Sequence, residues 1–154
     1  MIRIIWWAMQ AVTAALVVAG CRGDDECEET DHADIGGTWN VTRTVTADSC
    51  DPESVGEEET GLATVTQNDA DLEIDLWGSI DLNGEICGDH FSAGGTSTDD
   101  IFGCVLTQTV TIAGAVDGDR ISGQSSWSYR TNQDPICLGV DTCSGGYSFT
   151  AERQ

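Results

Sequence analysis

The sequence predicts an all-β protein, an antiparallel up-and-down barrel of about eight strands, and three observations carry that expectation. Past residue 35 the apolar residues recur at every second position, the mark of strands with one buried and one wet face. Turn-forming clusters interrupt these runs at short intervals. No stretch of the same region keeps a 3.6-residue period, so a long helix is not expected. Consecutive hairpins of even number favour closure, because a closed meander has no exposed edge. A two-sheet β-sandwich is the alternative architecture.

The chain of 154 residues divides into three parts. Residues 1–20 read as a secretory leader. Arg3 supplies the positive start, and the stretch from Ile4 to Val18 is apolar apart from Gln10 and Thr13. That stretch is shorter than the roughly 20 residues a spanning helix needs. The leader ends in Leu16-Val17-Val18-Ala19-Gly20-Cys21, which resembles the lipobox of bacterial lipoproteins. The resemblance implies cleavage before Cys21, a diacylglycerol on its thiol and acylation of the new amino group. Membrane attachment would then run through acyl chains at about 0.8 kcal/mol per buried methylene. Position 22 is Arg and not the Asp of the inner-membrane retention signal, so the resemblance implies the outer membrane. Residues 21–34 follow as an acidic tether, with too little apolar surface to bury. Their carboxylates do not follow the spacing of a calcium loop.

Residues 35–154 form the single folded domain. Leu72, Ile74 and Leu76 alternate with acids, and Gln108, Val110 and Ile112 alternate with threonines. Ile121, Gly123, Ser125, Trp127 and Tyr129 alternate with Ser122, Gln124, Ser126 and Ser128. Strands are expected at 37–46, 61–67, 71–77, 79–82, 85–92, 104–116, 119–130 and 146–152. Asn68-Asp69-Ala70-Asp71 and Asp117-Gly118-Asp119 serve as turns. Asn83-Gly84 is expected as a type I′ hairpin turn.

Charge and cysteine content narrow the setting. Acidic residues number 27 against six basic ones, all arginine, for a formal net charge of −21. Such a surface repels phosphate backbones, so nucleic acid is excluded as a partner. Seven cysteines in so short a chain point to an oxidising compartment. With Cys21 acylated, Cys27, Cys50, Cys87, Cys104, Cys137 and Cys143 form an even set that can pair completely. Strand parity in a barrel puts Cys50 at the same end as Cys137 and Cys143, and Cys27 at the end of Cys87. Sequential pairing, Cys27–Cys50, Cys87–Cys104 and Cys137–Cys143, is the alternative. No Cys-x-x-Cys pair suggests a metal site.

Gly37-Thr38-Trp39, opening the first strand, resembles the Gly-x-Trp signature of lipocalins and related small barrels. The resemblance implies that Trp39 closes one end of the barrel and that Arg153, at the end of the last strand, packs across it.

Motifs for catalysis are absent: there is no Gly-x-Ser-x-Gly elbow, phosphate loop or His-Glu-x-x-His. His90 lies among Asp89, Phe91 and Ser92, but a single histidine in a strand reads as a rim residue. Carboxylate pairs such as Asp99/Asp100 and Asp117/Asp119 sit in turn-like segments, where Asp serves the backbone. No catalytic residue and no cofactor are expected. The inward face instead offers Trp39, Val41, Trp127 and Tyr129, with Arg43 as a polar handle, as the wall of a small apolar-ligand pocket. Eight strands is also the width at which a barrel fills with its own side chains, and the filled interior is the favoured expectation. The functional expectation is a non-enzymatic, lipid-anchored, disulfide-stabilised envelope barrel that binds a small apolar ligand. The alternative is a filled-core interaction protein, such as a protease inhibitor of the small-barrel type, using residues 131–145. A cavity of a few hundred Å³ lined by tryptophan separates the first from the second.

Overall fold

The computed structural model describes residues 31–76, 80–132, 137 and 142–154. Strands β1 (Gly37–Asp48), β2 (Glu58–Asn68), β3 (Asp71–Leu76), β4 (Ile80–Cys87), β5 (His90–Ile101), β6 (Cys104–Asp117), β7 (Arg120–Thr131) and β8 (Cys143–Arg153) follow one another in the chain. Each pairs antiparallel with the next, and β8 returns to pair with β1, closing the barrel in sequence order. That last pairing decides for the barrel over the sandwich. A single 3-10 turn, Pro52–Ser54, interrupts the β1–β2 connection.

The alternation read from the sequence follows the two faces of the wall. Val41, Val65, Leu72, Ile74, Leu82, Ile112 and Phe149 are buried inside. Threonine and serine hydroxyls meet across strands on the outside, Thr96 with Thr109 and Thr111 with Ser126. Four hairpins turn on two residues, at 69–70, 88–89, 102–103 and 118–119. In each the first turn residue has a positive φ, namely Asp69, Gly88, Phe102 and Gly118, which suits the primed hairpin turns.

The expected hairpin at Asn83-Gly84 is not a turn. Both residues lie inside β4, and the chain reverses at Gly88-Asp89 instead. Gly84 faces a close approach of its paired strand β5: a Cβ at this position would stand 1.9 Å from the Ser92 carbonyl oxygen and 2.5 Å from Ala93 Cα. The glycine marks close backbone approach. The two short strands expected at 79–82 and 85–92 therefore divide differently, with β4 taking residues 80–87 and β5 running from His90 to Ile101.

One end of the barrel, here the base, is stoppered by the chain leading into β1. Ala33 N donates to Gly88 O at 2.8 Å, and Ile35 N donates to the Gln67 side-chain oxygen at 2.7 Å. Ile35 is fully buried. Trp39 lies above it, 1% exposed, and its indole N–H donates to the Ile35 carbonyl at 2.8 Å. Arg153, opposite Trp39 in the β1–β8 register, donates to the Gly36 carbonyl at 2.7 Å and to the Asp34 carbonyl.

Candidate ligand-binding site

The barrel is not filled by its own side chains. A cavity of about 440 Å³ runs along its interior, which corrects the expectation of a solid core. Its size falls within the range of small-molecule sites. Four glycines on the inward face are covered by neighbours and are not among its lining residues: Gly114, Gly123 and Gly145 lie against the rings of Phe91, Phe149 and Trp127, and Gly95 against Ile80 and Leu82. A Cβ on Gly145 would lie 2.5 Å from the Trp127 ring. This glycine is what lets the indole fold flat against β8.

The cavity is two-toned along the barrel axis. Toward the base its wall is apolar, with Trp39, Val41, Ile74, Leu82, Ile112 and Phe149 among the lining residues. Toward the far end the wall turns polar: Arg43, Asp48, Gln108, Tyr129 and Tyr147 line it, together with Ser125 and Trp127. Several of these residues are half-exposed, which makes this end the mouth. Trp39, Val41, Trp127 and Tyr129, the residues singled out from the alternation, all lie on the wall, as does Arg43.

Strand β7 brings Trp127 and Tyr129 to the same face two residues apart, their rings 5.2 Å apart and tilted by 59°. From β1, Arg43 reaches the mouth, where its Nε donates to the Glu59 carboxylate at 2.7 Å and its guanidinium lies 4.5 Å from the centre of the Tyr147 ring. Glu59 is its direct cross-strand neighbour on β2. Asp48 Oδ1 accepts from the backbone N–H groups of Cys50 and Asp51 at 2.8 and 2.9 Å, which turns the chain out of β1.

The Tyr147 hydroxyl is held above its ordinary value of 10.0, chiefly because burial disfavours the phenolate. Arg43 opposes that rise, while Glu59 and Asp48 reinforce it. The Trp127 indole N–H also acts on this hydroxyl, yet it makes no hydrogen bond of proper geometry: Trp127 Nε1 is buried without a partner.

Asp48, Gln108 and Tyr147 were not singled out from the sequence as site residues. Tyr147 shares the parity of Phe149, Ala151 and Arg153, and stepping back from Arg153 by twos would have found it. Asp48 could not be found that way, because the pairing of β1 with β8 shifts between Val45 and Ala47 and the bulge changes the parity.

Disulfides brace the mouth. Cys50 pairs with Cys143, tying the end of β1 to the start of β8. Cys104 pairs with Cys137, tying the start of β6 to the chain between β7 and β8. Cys50–Cys143 is one of the two pairings that parity allowed, and the sequential pairings Cys87–Cys104 and Cys137–Cys143 do not form. Cys87, at the base, is disulfide-bonded as well. Cys27 and the proposed lipid-attachment residue Cys21 lie outside the described residues. His90 stands on the exposed rim of the base with its Nδ1 against the Asp89 carboxylate, at the opposite end from the polar mouth. Among the described residues no group of three His, Cys, Asp or Glu side chains comes together as metal ligands. No protein-family model, curated protein or solved structure matches this chain.

Proposed function

We propose that this chain is a lipid-anchored, non-enzymatic protein of the bacterial cell envelope whose barrel holds one small apolar ligand. The cavity carries the reading. A volume of about 440 Å³, walled by aliphatic and aromatic side chains with a few polar groups gathered at one end, has the make-up of a small-molecule site. It also weighs against the competing reading of a filled-core inhibitor, which has no use for such a volume.

Support for the anchor comes from the sequence: the resemblance of Leu16–Cys21 to a lipobox, and the even set of cysteines that remains once Cys21 is acylated. Arg22 favours the outer membrane over the inner. The stoppered base fits the same arrangement, since the chain leading from the tether enters the barrel there and leaves the mouth at the far end. His90, the residue most open to acid–base work, sits with Asp89 on the exposed base rim, which favours a binding role over a reaction.

The test is titration of the full folded domain with the uncharged fluorophore N-phenyl-1-naphthylamine. Saturable uptake of one probe per barrel, with energy transfer from tryptophan, is the expected result. No saturable uptake by a correctly disulfide-bonded barrel would remove the ligand-binding reading.

A further inference from the structure

The mouth of the cavity gathers aromatic rings around one unbalanced negative charge, and the strand register sets how they face one another. Asp48 of β1 pairs with Gly145 of β8, and Gly145 pairs in turn with Trp127 of β7. Gly145 carries no side chain, so the indole lies over it and the carboxylate stands on its other side. Tyr129 follows two residues along β7, its ring 5.2 Å from the Trp127 ring and tilted by 59°. Two rings and a carboxylate thus form a corner on the cavity wall.

The charge in this corner is negative. Arg43 and Asp48 are the charged residues of the wall among the described residues. Arg43 is ion-paired with Glu59, its cross-strand neighbour, and that pair sums to zero. Asp48 makes no ion pair among the described residues. Its Oδ1 accepts from the backbone N–H groups of Cys50 and Asp51, which hold the carboxylate in place without cancelling its charge. Burial apart, the charges acting on the nearby Tyr147 hydroxyl are one positive, Arg43, and two negative, Glu59 and Asp48. The formal net charge of −21 has the same sign, so the local and the long-range field both draw a cation to the mouth.

The rings add to that attraction, because the face of Trp or Tyr carries negative charge density. The mouth already holds one cation in this way, the Arg43 guanidinium 4.5 Å from the centre of the Tyr147 ring. Trp127 and Tyr129 are the rings left for a guest, with β8 between them and Arg43 on β1. Below the corner the wall is apolar down to the Trp39 and Ile35 stopper. An elongated ligand therefore enters with its apolar part first and leaves its charged end at the corner.

We propose that the cavity takes an organic ammonium cation, an apolar body carrying one positively charged nitrogen, with that nitrogen seated between the Asp48 carboxylate and the rings of Trp127 and Tyr129. This rests on the ligand-binding reading above and names the class of ligand.

The experiment compares octylammonium, octan-1-ol and octanoate at neutral pH by displacement of N-phenyl-1-naphthylamine from the wild-type protein. Octylammonium is expected to bind tightest and octanoate weakest, the two ions differing by about tenfold or more. Displacement by octylammonium no better than by octan-1-ol or octanoate overturns the ammonium assignment while leaving a ligand-binding cavity in place. No uptake of the fluorophore itself overturns the ligand-binding reading. Three variants separate the corner from the general charge. Asp48→Asn keeps an oxygen for the backbone N–H groups of Cys50 and Asp51, and should weaken octylammonium by about three- to tenfold with little effect on octan-1-ol. Glu57→Gln removes an equal charge from the exposed chain before β2 and should change octylammonium by less than about twofold. Equal losses in these two variants mean that net charge and not Asp48 draws the cation, which overturns the proposal. Tyr129→Leu keeps an apolar lining and should weaken octylammonium relative to octan-1-ol by about two- to fivefold. An unchanged ratio of the two refutes the part assigned to that ring.

Discussion

The guanidinium of Arg153 lies 4.8 Å from the centre of the Trp39 ring, across a register in which these two residues face each other on β8 and β1. The contact joins the two ends of the folded chain at the strand pair that closes the barrel. Arg153 also donates to the carbonyls of Asp34 and Gly36, so one side chain caps the indole and holds the stopper in place. An arginine suits this better than a lysine, because its planar fork can stack and donate in two directions at once.

Replacing Arg153 tests that junction. Arg153→Met removes the cation–π contact and two charge-assisted hydrogen bonds while keeping a long apolar stem, and should cost about 2–3 kcal/mol. Arg153→Lys should recover part of this, at a cost of about 1–2 kcal/mol. Urea unfolding measures both, and a loss below about 0.5 kcal/mol for the methionine variant contradicts the closing role.

The two mouth disulfides should differ in worth. Cys50–Cys143 spans 93 residues of chain and Cys104–Cys137 spans 33. On the chain-entropy account the longer loop contributes more, about 4–5 kcal/mol against about 3–4. Paired Cys→Ser variants, unfolded in guanidinium, should show that order. The reverse order would mean that strain or structure in the unfolded chain dominates.

Gly145 should resist substitution for a reason that can be seen in Trp127. A methyl group here meets the indole and the Ala47 carbonyl oxygen, each at 2.5 Å. Gly145→Ala is expected to cost about 1–3 kcal/mol by overpacking and to shift the Trp127 emission as the ring is pushed into the cavity. An alanine variant with wild-type emission and stability would contradict the packing described.

Tyr147 gives a pH signature of the mouth. Burial raises its pKa above 10.0, so the folded state holds this proton more tightly than the unfolded chain. The corresponding stability is present in full below pH 10 and is lost as pH rises through the folded value. The difference in absorbance near 295 nm between wild type and Tyr147→Phe should titrate above pH 10, and higher still with a ligand excluding water from the mouth. A midpoint at or below 10 contradicts the burial.

The anchor is tested by fractionation. If the proposed anchor holds, Cys21→Ala should leave the protein uncleaved before position 21 and unacylated, and should release the barrel from the membrane fraction that holds the wild type. Unchanged outer-membrane association of an unacylated chain contradicts attachment through Cys21.

Much of the barrel wall was legible because a pleated strand shows its buried face every second residue. Trp127 and Tyr129 share a parity with Ile121, and Trp39 shares one with Val41; both pairs line the cavity. Strand β5 beyond Ser92 was not legible. Its run Gly94-Gly95-Thr96-Ser97-Thr98-Asp99-Asp100 carries almost no apolar side chain, and its strand character comes from pairing with β6 along its whole length. Gly84 was misread for the opposite reason: a local turn signal was overridden by the close approach of the paired strand β5. The hollow was hidden too. Alternation records the face of a residue but not the volume it leaves. The bulge that brings Asp48 to the mouth lies in the pairing with β8, on the far side of the sequence.

The most direct measurement is native mass spectrometry of the whole protein, released gently from its own envelope. The expected result is a chain beginning at an acylated Cys21, no free thiol among the other six cysteines, and one small apolar ligand that leaves on activation. A barrel that emerges empty, and then takes up no N-phenyl-1-naphthylamine, would contradict the ligand-binding reading.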